Sequence, residues 1–154
     1  MEESVSEIIQ NLWVGGEGAA GSKQFFEKEG IKACINATPS LQHNFCHTGV
    51  EYLRVPVNDS TDKEDMELVK DIMPLAVEWL RIHHKVLGYP TLVQCHQGIN
   101  RSATFVCAYL MKHWGMKLKD AIDFLIIRRQ AIFYNGDKPT FKKILLEWEK
   151  SIYP

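Results

Sequence analysis

The run Gln94-Cys95-His96-Gln97-Gly98-Ile99-Asn100-Arg101-Ser102 places a cysteine, a glycine and an arginine within one loop length. A cysteine followed six positions later by an arginine is weak evidence by itself. Of the four cysteines, Cys34, Cys46, Cys95 and Cys107, only Cys95 has that arginine, and it alone stands between a strand pattern and a helix pattern. The intervening residues are enough for a loop to curl around a tetrahedral oxyanion with its amides inward, Gly98 supplying conformational freedom. The helix that follows would aim its positive end at the same point. Those donors and Arg101 together favour thiolate over thiol at Cys95, and a thiolate is a strong nucleophile at neutral pH. The planar fork of Arg101 suits two phosphoryl oxygens at once, which a lysine does not reproduce. Ser102 stands where a hydroxyl can donate to the sulfur when it departs. His96, Gln97, Ile99 and Asn100 complete the loop, and none of them is a carboxylate that would repel a dianion.

Attack on a phosphate ester also requires a proton for the departing oxygen. Asp59, Asp62, Glu64 and Asp65 follow a strand pattern at Tyr52–Val57, although acids there also stabilise the start of the next helix. The elements that must bring these groups together can be read from periodicity. Leu12–Val14, Ile31–Ala37, Tyr52–Val57 and Thr91–Cys95 have the β-branched or aromatic content and flanking breakers of strands, with Glu7–Ile9 a possible edge strand. Met66, Val69, Met73, Ala76 and Leu80 form one face of a helix over Lys63–Val86, which Pro74 should kink or break. Two further stripes follow the Cys95 loop, one from Ala103 to Met111 and one from Leu118 to Ile126. A last stripe from Phe141 to Trp148 lies beyond an Asn135-Gly136 turn signal. Strands alternating with helices predict an α/β fold with a mainly parallel sheet of four to five strands flanked by helices. Ligands in such sheets sit beyond the carboxyl ends of strands, here just after Ala37, Val57 and Cys95.

Cys95 through Ser102 resembles the signature loop of cysteine-based protein phosphatases. Asn100-Arg101-Ser102-Ala103-Thr104 with Ala108-Tyr109-Leu110-Met111 is similar to the small dual-specificity branch. The likeness extends through Leu12-Trp13-Val14-Gly15, Ile35-Asn36-Ala37, Val55-Pro56-Val57-Asn58-Asp59, Arg128-Arg129 and the Phe141 helix, nearly the whole chain. It implies hydrolysis of phosphotyrosine and phosphoserine or phosphothreonine in proteins through a cysteinyl-phosphate. The implied catalytic residues are Cys95, Arg101, Asp59 and Ser102, and the implied phosphate-binding loop is His96, Gln97, Gly98, Ile99, Asn100 and Arg101. No metal or other cofactor is implied. Asp59 matches the family's general acid, with Asp62 the runner-up. Arg128-Arg129 either line the substrate entrance, as the resemblance implies, or pair with acids near a helix end. One departure stands next to the nucleophile: the family usually carries histidine there, and this chain has Gln94.

Composition limits the alternatives. The 154 residues, 45% apolar and 24% charged, suit one globular domain spanning 1–154. A net charge of −1 disfavours a bulk polyanion binder and so nucleic acid, but it is a cancellation. Trp79–Lys119 contains six Lys or Arg and no Asp or Glu, whereas Asn58–Glu78 has seven acids against two bases. The acidic start and the absence of a long apolar run lead us to expect an intracellular protein without a membrane anchor. The thiols are expected to be free in a reducing compartment. His43, Cys46 and His47 lack a fourth metal ligand at suitable spacing and read as an exposed loop. His83-His84 read as a solvated helix face, His96 as solvent-facing at the rim, and Cys34 and Cys107 as buried packing thiols. Two other functions remain in view: a phosphate-recognising binding module with weak turnover, suggested by Gln94, and an RNA 5′-triphosphatase, which shares the Gly-x-Asn-Arg run.

Overall fold

The computed structural model describes residues 4–133 and 140–154, so the Asn135-Gly136 turn signal lies outside the described residues. Five strands form one sheet: β1 Val5–Ile9, β2 Leu12–Gly15, β3 Ala33–Asn36, β4 Glu51–Arg54 and β5 Thr91–Gln94. Their order is β1-β2-β5-β3-β4, with β1 antiparallel to β2 and every other pair parallel. The expected edge strand is therefore present. The helices are α1 Glu17–Ala20, α2 Lys23–Glu29, α3 Lys63–Leu80, α4 Arg101–His113, α5 Leu118–Arg128 and α6 Lys142–Ile152. No helix among the described residues is long and apolar enough to cross a membrane.

The sheet buries both faces, which is why its strands are almost continuously apolar. Val14, Ile35 and Val93 face a large core shared with α3, α4, α5 and α6. Cys34 and Leu92 face a smaller one with Ala19, Ala20, Phe25, Phe26 and Ile31. α4 follows β5 after the loop at 95–100, and its residues Arg101 to Met111 are all buried, so it is the central helix and not a one-sided one. At about 1.5–3 kcal/mol for each fully buried large apolar side chain, this helix and the sheet beneath it carry much of the folding energy. The site beyond β5 is thus attached to the least deformable part of the molecule.

Three strands end earlier than expected, β3 at Asn36, β4 at Arg54 and β5 at Gln94, with consequences for the loops above them. β4 stops at Arg54 and not Val57, because Pro56 has no N–H to continue the ladder. Val55 N–H still donates to Asn36 O, and Val57 N–H then closes a tight turn onto Val55 O at 2.8 Å. The chain therefore turns away from the sheet just before Asn58 and Asp59. Beyond β3, Asn36 donates to Leu41 O at 2.7 Å and accepts from Thr38 Oγ1 at 2.8 Å, while Arg54 donates to Thr38 O and Leu41 O. These bonds fix the loop at Thr38–Leu41.

Pro74 does not break α3. It lies on the exposed face, where the carbonyl it leaves unpaired reaches water, while Val69, Met73, Ala76, Val77 and Leu80 hold the buried face. The departure comes later, in a wide π-type segment at Arg81–Val86, where Leu87 N–H reaches back to Ile82 O. His83 Nδ1 bonds Trp79 O at 2.9 Å, competing with the helical ladder at that carbonyl. The expected solvated face is therefore wrong: His83 and His84 are each only 8% exposed. His84 Nε2 lies 2.9 Å from Gln10 O and must donate to it, so Nδ1 accepts from Tyr109 Oη at 2.7 Å. Burial pulls His84 below its usual range and keeps it neutral. Below about pH 6.5 the unfolded chain takes up a proton that the folded chain resists, so acid should erode stability. Melting curves from pH 7.5 to 5.0 are expected to show a falling Tm, with a smaller fall in His84→Gln than in the unaltered protein; an equal fall would remove His84 as the cause.

Candidate active site

The loop between β5 and α4 is held from outside by its own carbonyls. His96 O accepts from Glu17 N–H at 2.9 Å, and Gln97 O and Gly98 O accept from the Arg129 guanidinium at 3.0 and 2.8 Å. Ile99 O accepts from Phe133 N–H at 3.1 Å, and Asn100 O accepts from Thr104 through both its amide and its hydroxyl. With every carbonyl from 96 to 100 engaged outward, the amides are turned the other way. None of the amides of residues 96–101 donates to a protein group among the described residues. The α4 N-terminus has no side-chain cap either, so its dipole also points at the enclosed space.

That space is a pocket of about 230 Å³ lined by Asp59, Cys95, His96, Gln97, Ile99, Asn100 and Arg101. Cys95 is buried, 3% exposed, at its base, with Ser102 Oγ 3.2 Å from its sulfur. Arg101 Nη1 donates to Val57 O at 2.9 Å, which ties the turn carrying Asp59 to the loop carrying Cys95. Asp59 Oδ2 accepts from Asn100 Nδ2 at 3.4 Å across the pocket mouth. Of the four acids considered, Asp59 is the one lining this pocket. Asp62 sits at the start of α3, and Asp65 accepts from Asn58. His96 is at the rim, 3.4 Å from Glu17 Oε2, with its side chain 44% exposed.

Three residues shape the loop, and of these Gly98 is legible in the sequence while Gly16 and Arg129 carry little signal there. Gly98 has a φ of 70°, and a Cβ there would lie 2.6 Å from the Gly15 carbonyl carbon. Gly16 has an ordinary φ, yet a Cβ on it would meet His96 O at 2.7 Å, so its role is close approach and not conformation. Arg129 is not among the residues lining the pocket: it is buried behind the loop, donating also to Ser6 Oγ at 3.1 Å. Burial pulls its guanidinium below the usual range and the nearby Cys95 opposes that shift. Arg128 instead lies on the Phe124 ring, 3.3 Å from its centroid. His43 stacks on Tyr52, and no group of three or more potential metal ligands gathers among the described residues. Cys34 and Cys107 are buried thiols, both pushed well up by desolvation.

A parallel sheet whose central strand delivers a buried cysteine into an amide-lined loop, closed by an arginine on the next helix, is the architecture of the cysteine-based phosphatase superfamily. The family model described as dual specificity phosphatase, catalytic domain, matches residues 12–151, and the chain belongs to that family. Human dual specificity protein phosphatase 21 is 30% identical over 151 residues, 97% of this chain and 74% of the relative. Human dual specificity protein phosphatases 8 and 7 are each 30% identical over 148 residues, and the chain spans only 22% and 33% of their lengths. The crystal structure of human DUSP28 superposes with a TM-score of 0.85 at 23% identity, covering 100% of this chain and 98% of that one. A human tyrosine phosphatase-like serine/threonine/tyrosine-interacting protein gives 0.82 at 26% identity, covering 99% of this chain and 100% of that one.

Because one planar cation satisfies two loop carbonyls and a hydroxyl, Arg129→Lys is expected to weaken tungstate or phosphate binding by about tenfold, near 1.4 kcal/mol. Arg129→Met should weaken it further, since two buried carbonyls then lose their donors. Isothermal titration with tungstate measures both, and unchanged affinity in the methionine variant would show that the loop holds its shape without Arg129.

Proposed function

We propose that this protein is an intracellular protein phosphatase that hydrolyses phosphotyrosine and phosphoserine or phosphothreonine through a cysteinyl-phosphate. The observation that carries the reading is the arrangement of the Cys95–Arg101 loop: carbonyls pinned outward, amides inward, and thiol, guanidinium and carboxylate around one small pocket. Free thiols at all four cysteines fit a reducing compartment.

In the first step Cys95 Sγ attacks phosphorus in line with the ester oxygen. The inward amides and Arg101 hold the equatorial oxygens, where charge must be accommodated in the transition state. Arg101 reaches them from a guanidinium already anchored by Val57 O, so little side-chain freedom remains to be lost on binding. The P–O bond breaks and the departing alkoxide or phenoxide takes the proton of Asp59. The Asp59 carboxylate then accepts a proton from water, whose oxygen attacks the cysteinyl-phosphate. The P–S bond breaks with both electrons going to sulfur, and Ser102 Oγ, 3.2 Å away, donates to the thiolate that forms. Inorganic phosphate leaves and Asp59 is again protonated. Asn100, bonded to Asp59, holds the carboxyl over the pocket through the cycle.

Cys95→Ser should abolish p-nitrophenyl phosphate turnover while retaining binding of tungstate. Asp59→Asn should lower kcat by roughly 10²–10⁴ on substrates with poor leaving groups, such as phosphoserine peptides, and less on p-nitrophenyl phosphate. Steady vanadate-sensitive hydrolysis of phosphopeptides supports the reading. A burst of phosphorylated enzyme without turnover would instead identify a binding module, and faster release of phosphate from triphosphate-ended RNA than from phosphopeptides would identify an RNA triphosphatase.

A further inference from the structure

α3 and its continuation carry two apolar stripes where a surface helix needs one. The inner stripe, Val69, Met73, Ala76, Val77 and Leu80, is buried against the large core. The outer stripe is Leu68, Ile72, Leu75, Trp79, Ile82 and Val86, spaced 4-3-4-3-4 along about 27 Å of helix. Ile72 and Trp79 are its half-buried members, packed against the edge of the large core, with the Trp79 ring stacked on His83 at 3.8 Å between centroids. The other four stand out: Leu68 is 36% exposed, Leu75 54%, Ile82 38% and Val86 62%. With Leu87 they make five of the eight large apolar side chains exposed among the described residues, so the exposure is gathered on one helix and not scattered as on an ordinary monomer surface. None of them lines the pocket over Cys95.

Apolar residues at alternating intervals of four and three are the seam of a helix pair, in which each side chain enters a gap between side chains of the facing helix. Two further features fit a second copy of this chain running in the opposite direction. The interval series reads the same from either end, so a two-fold axis at the level of Val77 sets Leu68 against Val86 of the other copy, Ile72 against Ile82 and Leu75 against Trp79. Each indole thus meets a leucine and not a second indole. The charges beside the stripe are also polarised: Glu64, Glu67 and Asp71 flank its first half, Arg81 and Lys85 its second. Lys70 is paired with Glu147, which leaves the first half acidic. Glu78, near the midpoint, is held by Arg81 at 2.7 Å, while Lys85 donates to the neutral His113 O and keeps the second half basic. Antiparallel copies set each acidic half against a basic half, whereas parallel copies set like on like.

We propose that the outer face of α3 and Arg81–Val86 is a docking surface for a second copy of this chain, forming an antiparallel two-fold dimer. The apolar seam supplies the attraction, and the polarity of its flanks selects the alignment. A stripe of this spacing drifts by about 20° per seven residues on a straight helix, and the wide turn at Arg81–Val86 adds drift in the same sense, so the two helices cross at their middle instead of lying flush. A face of about 27 by 10 Å on each copy removes on the order of 1,000 Å² from water, the lower end for a specific interface. The pocket over Cys95 lies outside the seam, so pairing does not use any residue of the site.

Sedimentation velocity on the full chain from about 1 to 300 µM is expected to show reversible dimerisation with a dissociation constant on the order of 10 µM, as suits an interface of this size. Leu75→Glu should leave the chain monomeric over the same range, since each dimer then buries two carboxylates in an apolar seam. A second set of variants touches no apolar side chain. Glu67→Lys with Asp71→Lys makes both halves basic and should weaken dimerisation by about tenfold. Adding Arg81→Glu and Lys85→Glu reverses the polarity and should restore the original constant to within about threefold. In a parallel pair the first of these charge variants would change nothing, because like already faces like. Circular dichroism melts at about 1 µM, below the expected constant, establish that each variant is folded. A chain that stays monomeric at the highest concentration overturns the proposal in favour of a helix from a different protein on this face. A dimer unmoved by Leu75→Glu overturns it by placing the contact elsewhere, and charge variants that both weaken the dimer or both leave it unchanged overturn the antiparallel alignment.

Discussion

The constraint on which this molecule depends is the orientation of a few peptide groups between Cys95 and Arg101. A peptide carbonyl and the amide joined to it point in opposite directions, so amides converge on a common centre only if the carbonyls diverge from it. Divergent carbonyls in a buried loop need donors, and the fold supplies them from separate parts of the chain: the amide of Glu17, the guanidinium of Arg129, the amide of Phe133 and Thr104. The chain before the sheet centre, the end of α5, the segment after it and the first turn of α4 therefore all meet at one loop. The anion cradle is the inner surface of a set of hydrogen bonds made on its outer surface.

The parallel sheet makes that convergence possible. Parallel neighbours put the carboxyl ends of β2, β5, β3 and β4 on one edge, so four connecting loops leave from the same side. β5 is in the middle and delivers Cys95. β2 delivers Gly16 and Glu17 against the outside of the loop, β4 delivers Val57 and Asp59 across it, and β3 delivers the fixed loop at Thr38–Leu41. The bond from Arg101 to Val57 O gives this edge its cross-brace, since it joins the residue proposed to hold phosphate to the turn that carries Asp59. A change in the position of one loop is thereby felt by the other.

Much of this was legible in the sequence where the signal was local. The Cys95–Ser102 spacing, the Gly98 turn, the amphipathic stripes and the alternation of strand and helix are set by neighbours within a few residues, and the fold brings Cys95, Arg101 and Asp59 around one pocket. What escaped depends on contacts across the fold. Gly16 has a negative φ and looks like any glycine before a helix; only the approach of His96 O explains it. Arg129 next to Arg128 looks like half of a surface pair, and nothing local separates the one that is buried from the one lying on Phe124. His83 and His84 fit a solvated helix face under regular helical geometry, and it is the π-type widening at Arg81–Val86 that accompanies their turn inward. Strand ends at Pro56 were misplaced because apolar composition continues past the last ladder bond.

Arg129 also changes the electrostatic account of the loop. Turning peptide dipoles so that amides face the substrate leaves the oxygen ends gathered on the opposite side, a negative shell close behind the positive cradle. A layer of that kind cancels at short range, and its field at the substrate would fall off steeply. A buried guanidinium on Gln97 O and Gly98 O neutralises two of those ends and adds a full charge on the far side of the loop from the phosphate. Its burial disfavours the charged form of the guanidinium, and the nearby Cys95 sulfur acts on it in the opposite sense. In the proposed reaction Arg101 supplies charge inside the pocket, whereas Arg129 supplies it from behind the loop, outside the pocket lining. The second charge therefore persists through both chemical steps, unaltered by the bonds that form and break in the pocket.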